Sequence, residues 1–170
     1  MKIIDGGVTA AKGFKAAGMH AGIKKGTKKD MAMIVSSAPC MAAGTFTTNL
    51  VKAAPVKWDQ HVVYEHGEAR AVVVNSGIAN ACTGAEGYGY CEETAKAAAE
   101  ALGIDKDEVL VASTGVIGKQ LPIDTIKKGV KDLSGLLLDT REAATLAAES
   151  IMTTDTVKKE VAVEVEIGGK

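Results

Sequence analysis

The chain has 170 residues, with 20 Lys and Arg against 21 Asp and Glu and a formal net charge of −1. A composition of 46% hydrophobic and 24% charged residues excludes general disorder. Balanced charge with only 4% aromatics excludes a broad electrostatic footprint for nucleic acid or an anionic membrane, and a base-stacking platform.

Residues 1–170 fit one domain, with a folded surface of roughly 8,000 Å² against about 25,000 Å² unfolded. Gly6 to Asp30 mixes Gly, Ala and Lys without a clean period. Met31-Ala32-Met33-Ile34-Val35 reads as a buried strand, and β-branched, aromatic Thr45-Phe46-Thr47-Thr48 as a second strand after Gly44. Trp58 to His66 reads as a short helix, with Asp59 as N-cap and Gly67 just beyond its end. Arg70 to Val74 is a β-branched run ending at Asn75-Ser76-Gly77. Ala- and Glu-rich Cys91 to Leu102 is a helix that Gly103 closes. Glu108 to Ala112 returns as a strand and runs into Ser113-Thr114-Gly115.

Pro122 opens a helix on which Ile123, Ile126, Val130 and Leu133 recur at three- and four-residue spacing. A further helix runs from Arg141 to Met152, capped by Asp139 or Thr140. Val161, Val163, Val165 and Ile167 alternate with Ala162, Glu164 and Glu166, the pattern of a half-buried strand with one wet face. Glu166-Ile167-Gly168-Gly169-Lys170 carries that strand into an opening turn, so the chain is expected to stop at an interruption and not at a domain end. Strands and helices alternate with no repeat or linker, which predicts an α/β layered (α+β) architecture.

Cys40, Cys82 and Cys91 are an odd, widely spaced set, against a disulfide framework or a structural zinc site. They read as small buried residues of a reducing compartment, with Cys82, in a polar stretch, the candidate reactive thiol. No signal-peptide pattern and no apolar run of about 18 residues occurs, so a cytoplasmic location is expected. His61 and His66 stand five apart, poorly placed for one helical face, and with His20 elsewhere no metal site is expected. The Lys24 to Lys29 run reads as a solvated turn.

Ser113 to Lys119 follows a strand and precedes a helix but lacks phosphate-loop spacing. What remains is either a structural turn or a strand end aiming one hydroxyl and one N–H at a single point, the geometry of an oxyanion hole. Asn75 to Gly84 can line a site or be an ordinary loop. Met152-Thr153-Thr154-Asp155-Thr156 can do the same or be a helix exit with local bonds. No Ser stands in a nucleophile elbow, so an activated nucleophile is missing.

Taken together, Gly7-Val8-Thr9-Ala10 with Lys12-Gly13-Phe14, Ala43 to Asn49 with Lys52-Ala53-Ala54-Pro55, Asn75 to Gly84, Ser113 to Gly118 and Thr153 to Thr156 occur in one order along the chain. In this the chain resembles the ornithine acetyltransferase family of arginine biosynthesis, bifunctional glutamate N-acetyltransferases. The resemblance implies the α chain of a self-cleaved precursor, in an αββα-type sandwich completed by a β chain whose N-terminal Thr is the nucleophile. Its free α-amine serves as base, so no histidine is needed. It further implies ping-pong transfer of acetyl from N-acetylornithine to glutamate, with Thr114 and Gly115 as the oxyanion pair and Thr153 binding substrate, Thr154 being one register step away. No metal and no cofactor is implied, though acetyl-CoA can be a donor substrate. The implied assembly is two α and two β chains or larger. A hydrolase or aminopeptidase relative of the same self-processing fold, or a non-enzymatic binding domain, are the competing readings. The family usually has Asn where Ile78 stands here.

Overall fold

The computed structural model describes residues 1–169. Its frame is a four-stranded sheet of β2 (Phe14–Met19), β3 (Met31–Met41), β4 (Glu68–Ile78) and β5 (Val109–Val116), in that spatial order. β2, β3 and β4 pair antiparallel, whereas β4 and β5 run parallel with Ser76 opposite Thr114 and Gly77 opposite Gly115. A parallel pair needs a crossover, and α2 (Gly84–Leu102) supplies it. A second, two-stranded sheet joins β1 (Lys2–Ile4) to β6 (Ala162–Glu164).

Strand alternation gives the main sheet two different faces. Met31, Met33, Val73, Val109 and Val111 point into the principal core, which α1 (Ala54–His61), α2 and α3 (Ile123–Ser134) cover with Trp58, Ala95, Ile126, Val130 and Leu133. Ala16, Ala32 and Val74 point the other way, onto Ala147 of α4 (Arg141–Ile151). α4 packs over β2, β3 and part of β4, leaving Val72 and Leu110 half-exposed beneath a groove of about 230 Å³. The whole chain exposes 9642 Å², about a fifth more than a compact chain of this size. No described helix is long and apolar enough to cross a membrane.

The helices follow their local signals. Gly103 takes the left-handed conformation after α2 at φ 68°, α3 begins directly after Pro122, and Thr140 caps α4 by accepting from the Ala143 N–H at 3.2 Å. Three expectations fail, and one strand arises where none was read. Thr45 to Thr48 forms no strand: no neighbouring strand offers it a ladder, and only Phe46 finds cover, edge-on to Tyr64 at 5.4 Å. Asp59 does not cap α1, which starts five residues earlier with Pro55 in its first turn. β2 emerges from the segment without a period. The strand expected to bury Val161, Val163, Val165 and Ile167 pairs with β1 over Ala162 to Glu164, buries Ala162 and leaves those four apolar residues exposed.

Candidate active site

The candidate residues gather where β4 and β5 end. Val111 directs its N–H off the open side of β5, where Asp59 accepts it at 2.9 Å. Two residues earlier, the Val109 carbonyl accepts from Trp58 Nε1 at 2.8 Å. Peptide groups alternate along a strand, so the Gly115 N–H falls on this same free edge. The Thr114 side chain falls on the α4 face in line with Ala112, because its register partner Ser76 donates its hydroxyl to the Ser150 carbonyl of α4. Thr114 is half-buried and Gly115 exposed, and no described residue hydrogen-bonds the Thr114 hydroxyl. The Thr114 hydroxyl thus lies on the α4 face and the Gly115 N–H on the open edge of β5, neither with a hydrogen-bond partner among the described residues.

Glycine is required here. Gly115 has φ 134°, and a Cβ on it would lie 2.3 Å from the Gly77 carbonyl carbon. Gly77, at φ 108°, is itself pressed against Lys24. The Gly115 position thus leaves no room for a side chain beside the Gly77 backbone, and glycine there allows β5 to pair with β4 through to its end.

The Asn75 to Gly84 stretch is mostly framework. Asn75 donates to the Ile78 carbonyl at 2.9 Å and accepts from Ser113. Asn80 donates to the Gly87 carbonyl at 2.7 Å and to Cys91 Sγ, and accepts from Thr83. Ile78 is buried in the principal core, so an apolar residue suits the position. Burial, with the Asp59 charge added and the Asn80 bond opposing, pushes the Cys91 thiol up to about 12, an inert structural cysteine. Cys82 is exposed, at φ 57°, on the rim of a separate cleft with Lys52 and Lys57.

Thr153 follows the end of α4 and lines a cleft of about 320 Å³ with Lys24, Lys28, Glu149 and Asp155. Thr114 is not among its walls. The two places are joined through Ser76, whose hydroxyl holds Ser150 and whose N–H donates to the Asp30 carbonyl at 2.8 Å. Asp30, fully buried, was not singled out in the sequence. Its carboxylate accepts the N–H groups of Ala21, Ile23 and Lys24 at 2.6 to 2.9 Å, and of Gly22 at 3.2 Å. The Lys24 to Lys29 run is a solvated turn over Lys25 to Lys28, as expected, with Lys24 and Lys29 at its ends half-buried. Lys24 donates to the carbonyls of Lys29 at 2.8 Å and Met152 at 2.6 Å, and burial lowers its pKa against the pull of Asp30. An Asp six residues after a Lys in a Gly-rich segment was the available signal, but burial is not visible in it.

A mixed sheet with helices on both faces, carrying the Thr114 hydroxyl and the Gly115 N–H at a strand end that only glycine fits, defines a layered α+β protein. The ArgJ family profile matches residues 15–170. An arginine biosynthesis bifunctional protein ArgJ of Gloeobacter violaceus is 53% identical over 167 residues, 98% of this chain and 41% of that protein. The chloroplastic ArgJ of Zea mays is 44% identical over 169 residues, 99% of this chain and 36% of that protein. Among solved structures, ArgJ of Bacillus halodurans superposes with TM-score 0.93 at 42% identity, covering 100% of this chain and 87% of that one. The ornithine acetyltransferase of Mycobacterium tuberculosis, solved with ornithine, superposes with TM-score 0.90 at 44% identity, covering 94% and 86%. The chain belongs to the ArgJ family. It spans about two fifths of the length of the curated relatives it matches.

Proposed function

We propose that this chain is the α chain of a glutamate N-acetyltransferase that takes acetyl from N-acetylornithine, and that Thr114 and Gly115 hold the oxyanion of its acyl transfer. The observation that carries the reading is the pair of free donors at the end of β5, in a chain that superposes on an ornithine acetyltransferase with TM-score 0.90. The Thr on a β chain attacks the acetyl carbonyl with its hydroxyl oxygen, and its own α-amine takes the proton. As the carbonyl oxygen becomes negative, the Thr114 hydroxyl and Gly115 N–H bond to it. Collapse breaks the amide C–N bond, ornithine leaves as the amine with that proton, and an acetyl ester remains on the Thr. The glutamate amine then attacks the ester across the same two donors, giving N-acetylglutamate and restoring the hydroxyl. Thr153 binds substrate beside Lys24 and Lys28. None of these steps needs a metal or a cofactor, and acetyl-CoA can enter only as an alternative acetyl donor.

The half-open face supports a partner chain lying across β4 and β5. Val72 and Leu110 are half-exposed there, and Arg70 Nε, on the same groove, is buried without an acceptor. Assembly as two α and two β chains follows from the family resemblance.

The test is Thr114→Ala, assayed for acetyl transfer from N-acetylornithine to glutamate. Loss of one oxyanion donor should lower kcat by about 10²–10³-fold with KM little changed, while circular dichroism and assembly size stay as in the parent. Unchanged kcat removes Thr114 from the role. Acetate release that is independent of glutamate would instead mark a hydrolase.

A further inference from the structure

We propose that His61, His66 and Asp107 form a binding site for a divalent cation of the zinc type. Five-residue spacing puts two side chains on different sides of an α-helix. Here α1 does not end as an α-helix. It widens into a π-helical turn over Val62–His66, closed by the Gly67 N–H donating to the Val62 carbonyl at 3.0 Å. The i to i+5 hydrogen bond of a π turn underwinds the helix, which swings positions five apart towards one face. His61 and His66 accordingly meet edge to face, with ring centroids 5.4 Å apart. Such turns are rare and occur frequently at functional sites.

Asp107 meets both rings from the single helical turn Lys106–Glu108 before β5. One carboxylate oxygen lies 3.8 Å from His61 Nε2 and the other 3.6 Å from His66 Nε2. Donor atoms from all three residues lie within 4.8 Å of one another. Donors about 2.0–2.1 Å from a tetrahedral zinc are about 3.3 Å apart, so closing onto a cation takes only small shifts. Two imidazoles and one carboxylate suit zinc and its neighbours rather than magnesium or calcium.

The surroundings are organised for this. Glu65 Oε2 lies 3.1 Å from His61 Nδ1, the ring nitrogen other than the one that faces Asp107. A carboxylate behind a histidine is the usual outer partner of a bound metal. The turn that carries Asp107 is itself fixed by a capping box between Asp105 and Glu108. One group opposes binding: Lys106 Nζ lies 2.9 Å from Asp107 Oδ1, and also over the Trp58 ring at 5.4 Å. The Asp107 oxygen facing His66 is free of it. The site lies at the start of β5, about 17 Å along the strand from Thr114.

The test titrates zinc alone into the purified, assembled protein near neutral pH, read by calorimetry. One zinc per chain is expected. His66→Gln should abolish binding without moving the melting temperature of the metal-free protein. Glu65→Gln should weaken it by about 10–100-fold, and Lys106→Gln, which frees the carboxylate, should tighten it several-fold. A parent protein that binds no zinc, or a His66→Gln variant that binds as the parent does, overturns the site. Should His66→Gln fail to fold, unchanged or weaker binding by Lys106→Gln overturns it equally.

Discussion

The two faces of the main sheet are built from different materials. The face under α1, α2 and α3 carries Met31, Met33, Val73, Val109 and Val111, and it buries Trp58 and Leu133 completely or nearly so. The face under α4 carries Ala16, Gly18 and Ala32, so α4 can come close enough for Ser76 to reach the Ser150 carbonyl. Large side chains bury area and hold the chain folded. Small ones let a helix settle onto the strands and fix the end of α4, with Thr153 beside it. Stability and positioning are thus assigned to opposite faces, and Thr114 belongs to the second.

That division can be broken in order of expected effect. Trp58→Ala should cost about 3–5 kcal/mol in denaturant unfolding, because it opens a void and strips the Val109 carbonyl of its donor. Gly18→Ala acts on the other face. Its Cβ would lie 2.2 Å from the Leu146 carbonyl oxygen, so α4 must lift, and the cost should be about 1–3 kcal/mol. Substrate affinity should fall with it, since Thr153 moves with α4. A Gly18→Ala variant as unstable as Trp58→Ala would show that both faces carry the fold alike.

The smallest effect concerns Asp59, at the seam between α1 and β5. Burial pushes its carboxyl up to about 6, against the Val111 N–H bond that lowers it. The folded chain therefore keeps a proton there between the ordinary carboxylate value and about 6, and this group's contribution to stability falls as pH rises through that window. Asp59→Asn keeps an acceptor for Val111 and removes the charge. It should raise the melting temperature at neutral pH and leave it almost unchanged at pH values below that window. An equal gain at both pH values would show that the carboxyl is not titrating there.

The end of α2 and the starts of α3 and α4 were legible because their signals are local. The starts of α1 and α2 were not: α2 begins at Gly84, seven residues before the expected Cys91. Gly103, Pro122 and Thr140 act on backbone groups within a few residues, and Ile126, Val130 and Leu133 repeat at helical spacing. Ser113-Thr114-Gly115 was legible as a strand end with a hydroxyl and a glycine. Why Gly115 must be glycine was not, because it meets the Gly77 backbone only across the parallel register.

What the sequence alone determined is the layered class, the helices, the strand ends carrying Thr114 and the family resemblance. Tertiary structure decided the rest. Thr45 to Thr48 has strand composition but no partner, and β2 has a partner in β3 but no strand pattern. Asp30 gathers four backbone N–H groups that no spacing announces. His61 and His66 meet because the helix closes its last turn with an i to i+5 hydrogen bond instead of i to i+4. Each of these depends on which groups the folded chain brings within a few ångströms, and sequence patterns report only on neighbours along the chain.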